Sequence, residues 1–422
     1  MRQHYGPDDR DGTAGTEVRG RRHDRRRREG LRDMTDTINP DATALLSDLV
    51  AVPSVNPRGA AEPAETPVAQ RIADWCAAQG IAAEVRPVVD GRCNVVATVP
   101  GRDPGTAVLF ESHLDTVEVE HMTTPPFTPT VRDGRLFGRG ACDAKGPLAA
   151  FLIALRDVAR SPQPPPRTVI VAGVADEEHE YRGVLRLLED LERDATTKVS
   201  GAVVGEPTDL RAVVAHKGVM RCRIVATGPG GHSSRPWGLD NPIETIARVV
   251  TFLAEEVTPS LADAPHPLVG PASLVPALIG GGTGPNTVPN ECAVSLDRRT
   301  LPGEDPEQVW RELRDRITDR FGEDVTVEPP FLTDLALDND PGDRFVAGVR
   351  DVLARVGRDA DAIGTGWGSD ASKIAAAGIP AVVLGPGSIA DAHTPDESID
   401  LAELADAVEI ARAIMLAPAP PH

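Results

Sequence analysis

Aromatic side chains are scarce in this 422-residue chain, at 3% of residues, so its core has to be assembled from Val, Leu, Ile and Ala. Cysteine offers no framework either. The five thiols (Cys76, Cys93, Cys142, Cys222, Cys292) are odd in number, scattered and never spaced C-x-x-C. That pattern argues against structural disulfides and for reduced thiols in a cytoplasmic protein. No apolar run approaches the roughly 18 residues needed to span a bilayer, so no membrane is expected as a partner. Positive charge is in deficit: 44 Lys and Arg stand against 64 Asp and Glu, a net charge of −20. Such a surface disfavours nucleic acid and anionic membranes. A small anionic substrate stays open, because a metal or an Arg inside a cleft reverses the local field.

What is present is the composition of a soluble globular protein, 41% hydrophobic and 26% charged. The length exceeds one ordinary core, so two domains are expected. Residues 1–33 differ from the rest. The run from Arg19 to Arg28 is Arg-rich, without apolar periodicity and without a following apolar segment. It reads as a disordered leader outside the fold, not a secretory signal, with Met34 as the start of the folded protein.

Beyond Met34, apolar residues at helical spacing predict helices over 41–52, 66–79, 147–159, 241–256, 306–321, 343–356, 372–377 and 401–416. The helix over 147–159 is read as starting with Pro147 at its first position. Short apolar runs bounded by Gly and Pro predict strands over 82–88, 93–99, 106–110, 167–174, 198–205, 272–279, 291–298, 325–328 and 379–384. A strand pair is predicted over 213–225, around His216-Lys217-Gly218. The expected fold class is α/β. Residues 34–212 and 329–422 form a catalytic domain with a central, mostly parallel sheet flanked by helices. Residues 213–328, in the order β-β-α-β-β-α-β, form an inserted α+β (ferredoxin-like) domain with an antiparallel sheet.

The chemistry sits at strand ends. His113 and Asp115 follow the run 106–110 and share one face, since residues two apart in a strand point the same way. A His beside a carboxylate is a common metal-site arrangement, although H-x-D alone arises often by chance. Asp143 stands in a loop at a helix N-terminus, among Gly138, Gly140 and Gly146. An N-capping role would explain it equally well. Glu177 and Glu178 end the apolar run 167–174, where adjacent acids repel unless a cation intervenes. With a metal, one Glu binds and its neighbour is left as a base. Glu206 ends the next strand, and His393 lies beyond the last. Ligands bind outside the carboxyl ends of strands in open α/β sheets, so these weak signals converge on one site. Two His and three acids suit Zn, Mn or Co. Five donors fit a metal pair, which polarises a carbonyl and generates hydroxide near neutral pH, with a Glu as proton shuttle. Hydrolysis of an amide or similar acyl bond is the expected reaction.

These motifs resemble the acetylornithine deacetylase, succinyl-diaminopimelate desuccinylase and carboxypeptidase-G group of co-catalytic zinc hydrolases. The motifs are Pro53-Ser54-Val55-Asn56-Pro57, Ser112-His113-Leu114-Asp115-Thr116-Val117, Gly138 to Gly146, Asp176-Glu177-Glu178, Gly205-Glu206-Pro207-Thr208, His216-Lys217-Gly218, Gly231-His232-Ser233-Ser234, Gly385-Pro386-Gly387-Ser388 and Ala392 to Glu397. The resemblance implies two Zn2+ per subunit, replaceable by Co2+ or Mn2+. His113 and Glu206 would bind one ion and Glu178 and His393 the other. Asp143 would bridge them, with a cis peptide to Ala144. Asp115 would orient His113, and Glu177 would act as general base and acid. The inserted segment would be a lid and dimerisation domain, from which His232 reaches a neighbouring subunit's site to stabilise the oxyanion. Asn286 and Arg299 match positions that bind a substrate carboxylate, a task an Arg fork suits. The implied activity is removal of an acyl group from a small N-acylated amino acid. A dipeptidase or carboxypeptidase of the same family is the alternative. A catalytically inactive, metal-free binding protein is the alternative of another class, and the complete donor set with Glu177 argues against it. Two departures from the pattern, Ser112 in place of Gly and the loop from Glu118 to Met122, are expected near the substrate entrance.

Overall fold

The computed structural model describes residues 38–58, 64–89, 91–194 and 196–418. The Arg-rich leader and the start at Met34 lie outside them. A nine-stranded sheet organises the larger part of the chain. Across it run Ala82–Val89, Arg92–Val99, Arg167–Val174, Asp103–His113, Lys198–Val204, Ala381–Val383, Val213–His216 and Leu337–Asp338, with Ile363–Thr365 also paired to Val213–His216. The sheet is mixed. The four strands from Arg167–Val174 to Ala381–Val383 are mutually parallel, and antiparallel pairs flank them on both sides.

The alternation of side chains divides this sheet into two apolar faces. Val108, Phe110, Val169, Val171 and Val203 join one core, under the helices Pro40–Val50, Lys145–Ala159, Arg344–Arg355 and Leu401–Leu416. Ala107, Leu109, Ile170, Ala172 and Val204 join the other, under Arg182–Arg193 and Ala371–Ala376. With both faces covered, the central strands carry unbroken apolar runs; Arg167–Val174 is buried at every position. Phe110 and Phe151 are buried in the first of these cores, their rings meeting edge to face at 5.1 Å, whereas Trp237 and Phe331 are exposed.

The remaining chain builds a five-stranded antiparallel sheet from Ser273–Gly281, Glu291–Thr300, Gly218–Thr227, Val325–Val327 and Leu332–Asp334. The helices that begin at Pro242 and Pro306 pack on it through Ile246, Val249, Leu313 and Ile317. The expected strand pair around Lys217 is not a pair. Val213–His216 belongs to the large sheet and Gly218–Thr227 to the small one, so Lys217 is where the chain changes sheets. Two further differences concern helices. Lys145–Ala159 begins two residues before Pro147, which the first turn tolerates because its N–H groups have no intrahelical partner anyway. Arg182–Arg193 is a helix that none of the expectations covers, although Val184, Leu187, Leu188 and Leu191 carry its period.

Candidate metal centre

Parallel strands deliver their carboxyl ends to one side of the sheet. His113 is the last residue of Asp103–His113, Glu177 and Glu178 follow Arg167–Val174, and Glu206 follows Lys198–Val204. His393 comes from the loop after Ala381–Val383 and holds a left-handed backbone, φ 58°. Non-glycine residues in that region cluster at functional sites. Asp143 arrives differently. It lies between a three-stranded sheet (Thr130–Arg132, Arg135–Phe137, Ser398–Asp400) and the helix from Lys145. Gly140, at φ 81°, makes the turn possible: a Cβ there would lie 2.9 Å from Thr116 Cγ2. The Asp143–Ala144 peptide is cis.

The five expected donors meet. His113 Nε2 is 2.9 Å from Asp143 Oδ1 and 3.8 Å from Glu206 Oε1. His393 Nε2 is 3.1 Å from Asp143 Oδ2 and 3.0 Å from Glu178 Oε1. The result is two donor triads, His113–Asp143–Glu206 and Asp143–Glu178–His393, sharing one carboxylate. Each oxygen of Asp143 faces one triad. Ligands at about 2.0–2.2 Å around a tetrahedral ion are separated by about 3.3 Å, so these spacings fit a pair of ions bridged by Asp143.

The electrostatics are those of a site assembled around cations. Against the upward push of burial, His113 and His393 hold the Asp143 carboxyl far below the usual carboxylate range. Burial pushes Glu206 well up, with Asp143 and Glu177 adding to it. Burial also pushes Glu177 to about 8, with Glu178 next to it raising it further. Burial disfavours a charged His113 ring, yet Glu206, Asp115 and Asp143 together keep its pKa well above the ordinary value.

Behind the donors lies a buried polar scaffold. His113 Nδ1 sits 2.9 Å from the Asp115 backbone carbonyl and 3.6 Å from Asp115 Oδ1. The Asp115 carboxylate accepts from the backbone N–H groups of Glu177 (3.2 Å) and Glu178 (3.1 Å), and from Asn56 Nδ2 at 2.7 Å. Asn56 Nδ2 also donates to Asp176 at 3.0 Å, and Arg92 links Asp176 to Glu65. Asp115 therefore ties the strand that carries His113 to the turn that carries Glu177 and Glu178. Glu397 does the same for Asp143. Its Oε1 accepts from the N–H groups of Cys142 (2.9 Å) and Asp143 (3.1 Å), while Oε2 accepts from Arg139 at 2.6 Å. Asn56 and Glu397 stand inside motifs quoted above, but sequence reasoning assigned them no role. Their partners lie 59 and more than 250 residues away, and no local pattern signals that.

Ser112 corrects an expectation. It is not at an entrance: it is 1% exposed, and its hydroxyl lies 3.0 Å from Ala144 O and 2.9 Å from Gly205 O. It links the loops of Asp143 and Glu206 from inside. The loop from Glu118 to Met122 does lie at the surface. His232, Asn286 and Arg299 fall in or beside the small sheet. His232 pairs with Thr287, and Ser233 N–H donates to Asn286 O at 3.0 Å, so these two are neighbours. Arg299 Nε donates to Asp297 at 2.8 Å. Among the described residues, no hydrogen bond or ion pair joins any of the three to the five donors. A third acidic group, Asp176, His179 and Glu180, also has donor spacing, but Arg92, Arg182 and Asn56 already occupy Asp176.

Fold and site together define a hydrolase with paired metal-donor triads at the carboxyl edge of an α/β sheet. Residues 109–417 match peptidase family M20/M25/M40, and the chain belongs to that family. It is 30% identical over 378 residues to the acetylornithine deacetylase of Proteus mirabilis (strain HI4320), covering 86% of this chain and 93% of that one. It is 28% identical over 397 residues to a probable succinyl-diaminopimelate desuccinylase of Staphylococcus aureus (strain MSSA476), covering 87% and 95%. The fold matches that of the Bacillus subtilis YXEP protein, described as a dinuclear metal-binding peptidase, with a TM-score of 0.66 at 19% identity, covering 89% and 96% of the two chains. The resemblance read from the motifs is borne out at the level of family, fold and hydrolytic class.

Proposed function

We propose that this enzyme hydrolyses the amide bond of a small N-acylated amino acid, releasing the acyl group as a carboxylate. The observation that carries the reading is the pair of triads facing the two oxygens of Asp143, with Glu177 held beside them by Asp115. The deacylase names of the two relatives support the substrate class. His113, Asp143 and Glu206 would hold one ion, and Asp143, Glu178 and His393 the other; the mixed N/O donor set suits Zn, Mn or Co, and the family resemblance implies zinc. A bound metal pair supplies Lewis acidity toward the scissile carbonyl and lowers the pKa of water.

The chain's own residues do the rest. Glu177, with its pKa raised by burial, takes a proton from the attacking water and returns it to the leaving amine. Asp115 fixes the backbone of Glu177 and Glu178 and, through its own carbonyl, the His113 ring. His232, from a neighbouring subunit, donates to the developing oxyanion, and Asn286 and Arg299 receive the substrate carboxylate.

In this reading the small sheet, residues 218–334 by strand membership and 213–328 as first expected, is the lid and dimerisation domain. Its edge strand Ser273–Gly281 exposes Val275, Leu278 and Ile279, which fits a homodimer through that edge. The five unpaired cysteines fit a reducing cytoplasm. Among the described residues, no helix is long and apolar enough to cross a membrane.

The test is a substrate panel on metal-stripped protein reloaded with Zn, Co or Mn. N-acetylornithine, N-succinyl-diaminopimelate, other N-acetyl amino acids and dipeptides would be assayed side by side. Turnover of an N-acyl amino acid is expected to dominate. Preference for dipeptides would replace the deacylase reading by the peptidase one, and metal binding without turnover of any compound would overturn both.

A further inference from the structure

At the opposite end of the central sheet, a cavity of about 500 Å3 opens between the helices Arg344–Arg355 and Leu401–Leu416. Phe345, Val349 and Ile414 form its apolar wall, and Arg344 and Arg355 stand at its exposed rim. Arg167, the first residue of Arg167–Val174, lines it from below. That arginine is the anomaly. It is 2% exposed, yet no carboxylate among the described residues forms an ion pair with it. Its Nη1 donates to Ser200 Oγ at 2.9 Å, and its guanidinium lies 5.7 Å from the centre of the Phe345 ring. Its Nε has no hydrogen-bond partner. Burial lowers its pKa to about 10, so it still carries charge at neutral pH.

A buried cation without a counter-ion is costly, and proteins pair such groups almost without exception. Here the neighbouring space is of small-molecule size and far larger than an inorganic ion needs. We propose that this cavity is a second ligand site, in which a small organic oxyanion, a carboxylate or a phosphate monoester, sets its charged group on Arg167 and its apolar body against Phe345, Val349 and Ile414. At the rim the charge of Arg355 is offset by Asp351, exposed one helical turn earlier on the same lining, so the anion's charge rests on Arg167. The site does not depend on the metal centre: the eight-residue strand from Arg167 to Val174 separates them by about 25 Å at 3.3 Å per residue.

Calorimetric titration of the full chain with benzoate and with phenyl phosphate tests this, against inorganic phosphate and against chloride at matched ionic strength. At least one aromatic anion is expected to bind, and to bind more tightly than inorganic phosphate. Arg167→Met is expected to weaken binding at least about tenfold, the value of a hydrogen bond to a charged group. It is also expected to raise the melting temperature of the ligand-free protein, since an unpaired buried charge is gone. Gly348→Leu serves as a variant that folds regardless. A Cβ there meets nothing within 4 Å, and Leu is the better helix former, but the side chain fills the cavity and should abolish binding. Unchanged binding in Gly348→Leu would refute the location. Inorganic phosphate binding as tightly as the aromatic anions would refute the organic ligand. No heat beyond that of chloride would refute the site itself.

Discussion

Glu397→Gln isolates one link between the fold and the metal centre. Glu397 is 0% exposed and Arg139 3%, and the two meet at 2.6 Å. Gln keeps the shape and an oxygen to accept from Cys142 and Asp143. What changes is the other end, where an amide N–H now faces the guanidinium, donor against donor. Arg139 Nε already lacks a partner, so the charge is left with little compensation. Removing one partner of a buried ion pair costs about 3–5 kcal/mol. With an unfolding entropy of about 2.1 cal/mol/K per residue over a folded unit of this size, the melting temperature should fall by about 4–6 °C. The assay is thermal and urea unfolding of metal-stripped protein, for wild type, Glu397→Gln, Arg139→Met and the double variant. Removing both charges is far less costly than removing one, so the cycle should show a coupling of at least about 2 kcal/mol. The loop of Asp143 also loosens, and zinc affinity should fall about 10–100-fold in the single variant. A Glu397→Gln protein within about 1 kcal/mol of wild type, or a double variant equal to the sum of the singles, would show that the pair does not act as argued.

Other perturbations address the remaining parts. Glu177→Ala should keep both metals by elemental analysis and lose about 10²–10⁴-fold in turnover; unchanged turnover would remove Glu177 from the mechanism. Asn56→Ala removes the donor shared by Asp115 and Asp176, so metal affinity should drop about tenfold or more, read by competition with a chelating dye; equal affinity would contradict the scaffold described above. Glu403, whose carboxyl accepts from the Gly387 N–H at 3.2 Å, provides a pH test. Burial pushes its carboxyl to about 7, from an ordinary value of 4.5. Its favourable contribution is therefore complete below pH 4.5 and is lost as the pH rises through 7, because the folded chain holds a proton that the unfolded chain has released. The loss amounts to at most about 3 kcal/mol, and less for a carboxyl that retains some contact with solvent. Glu403→Gln should remove that slope and be the more stable protein at pH 8, whereas parallel stability curves for the two proteins would refute the assignment.

The donors were legible in the sequence because their position is local. His113, Glu178 and Glu206 each end an apolar run, and parallel strands bring such ends together whatever the details of packing. Asp143 was legible through the glycines around it, which allow its turn. Residues whose role is to hold those donors were not. Asn56 and Glu397 act through partners brought close only by the completed sheet, and their side chains look like those of any loop. The sheet change at Lys217 was hidden for a related reason. Val213–His216 and Gly218–Thr227 are equally apolar, and nothing in an apolar run states which strand it will pair with. Ser112 was misplaced because a small polar residue next to a ligand suggests contact with substrate, whereas its hydroxyl lies buried within hydrogen-bond distance of two carbonyl oxygens, with one proton to share between them.

The order of strands in the central sheet bears on how the enzyme is made. Ala381–Val383 fills the slot between Lys198–Val204 and Val213–His216, strands synthesised more than 160 residues earlier. While the nascent chain emerges from the ribosome, that slot stays open in the middle of the apolar sheet, an edge exposed to mispairing. Four of the five donors are already outside by residue 206, and the fifth follows only at His393. A truncated product therefore carries a broken sheet and an incomplete donor set at once. A chain that stops before Ala381 lacks the central strand and His393 together, so if the five donors hold the proposed ions, a test of metal retention and a test of folding would reject the same truncated chains.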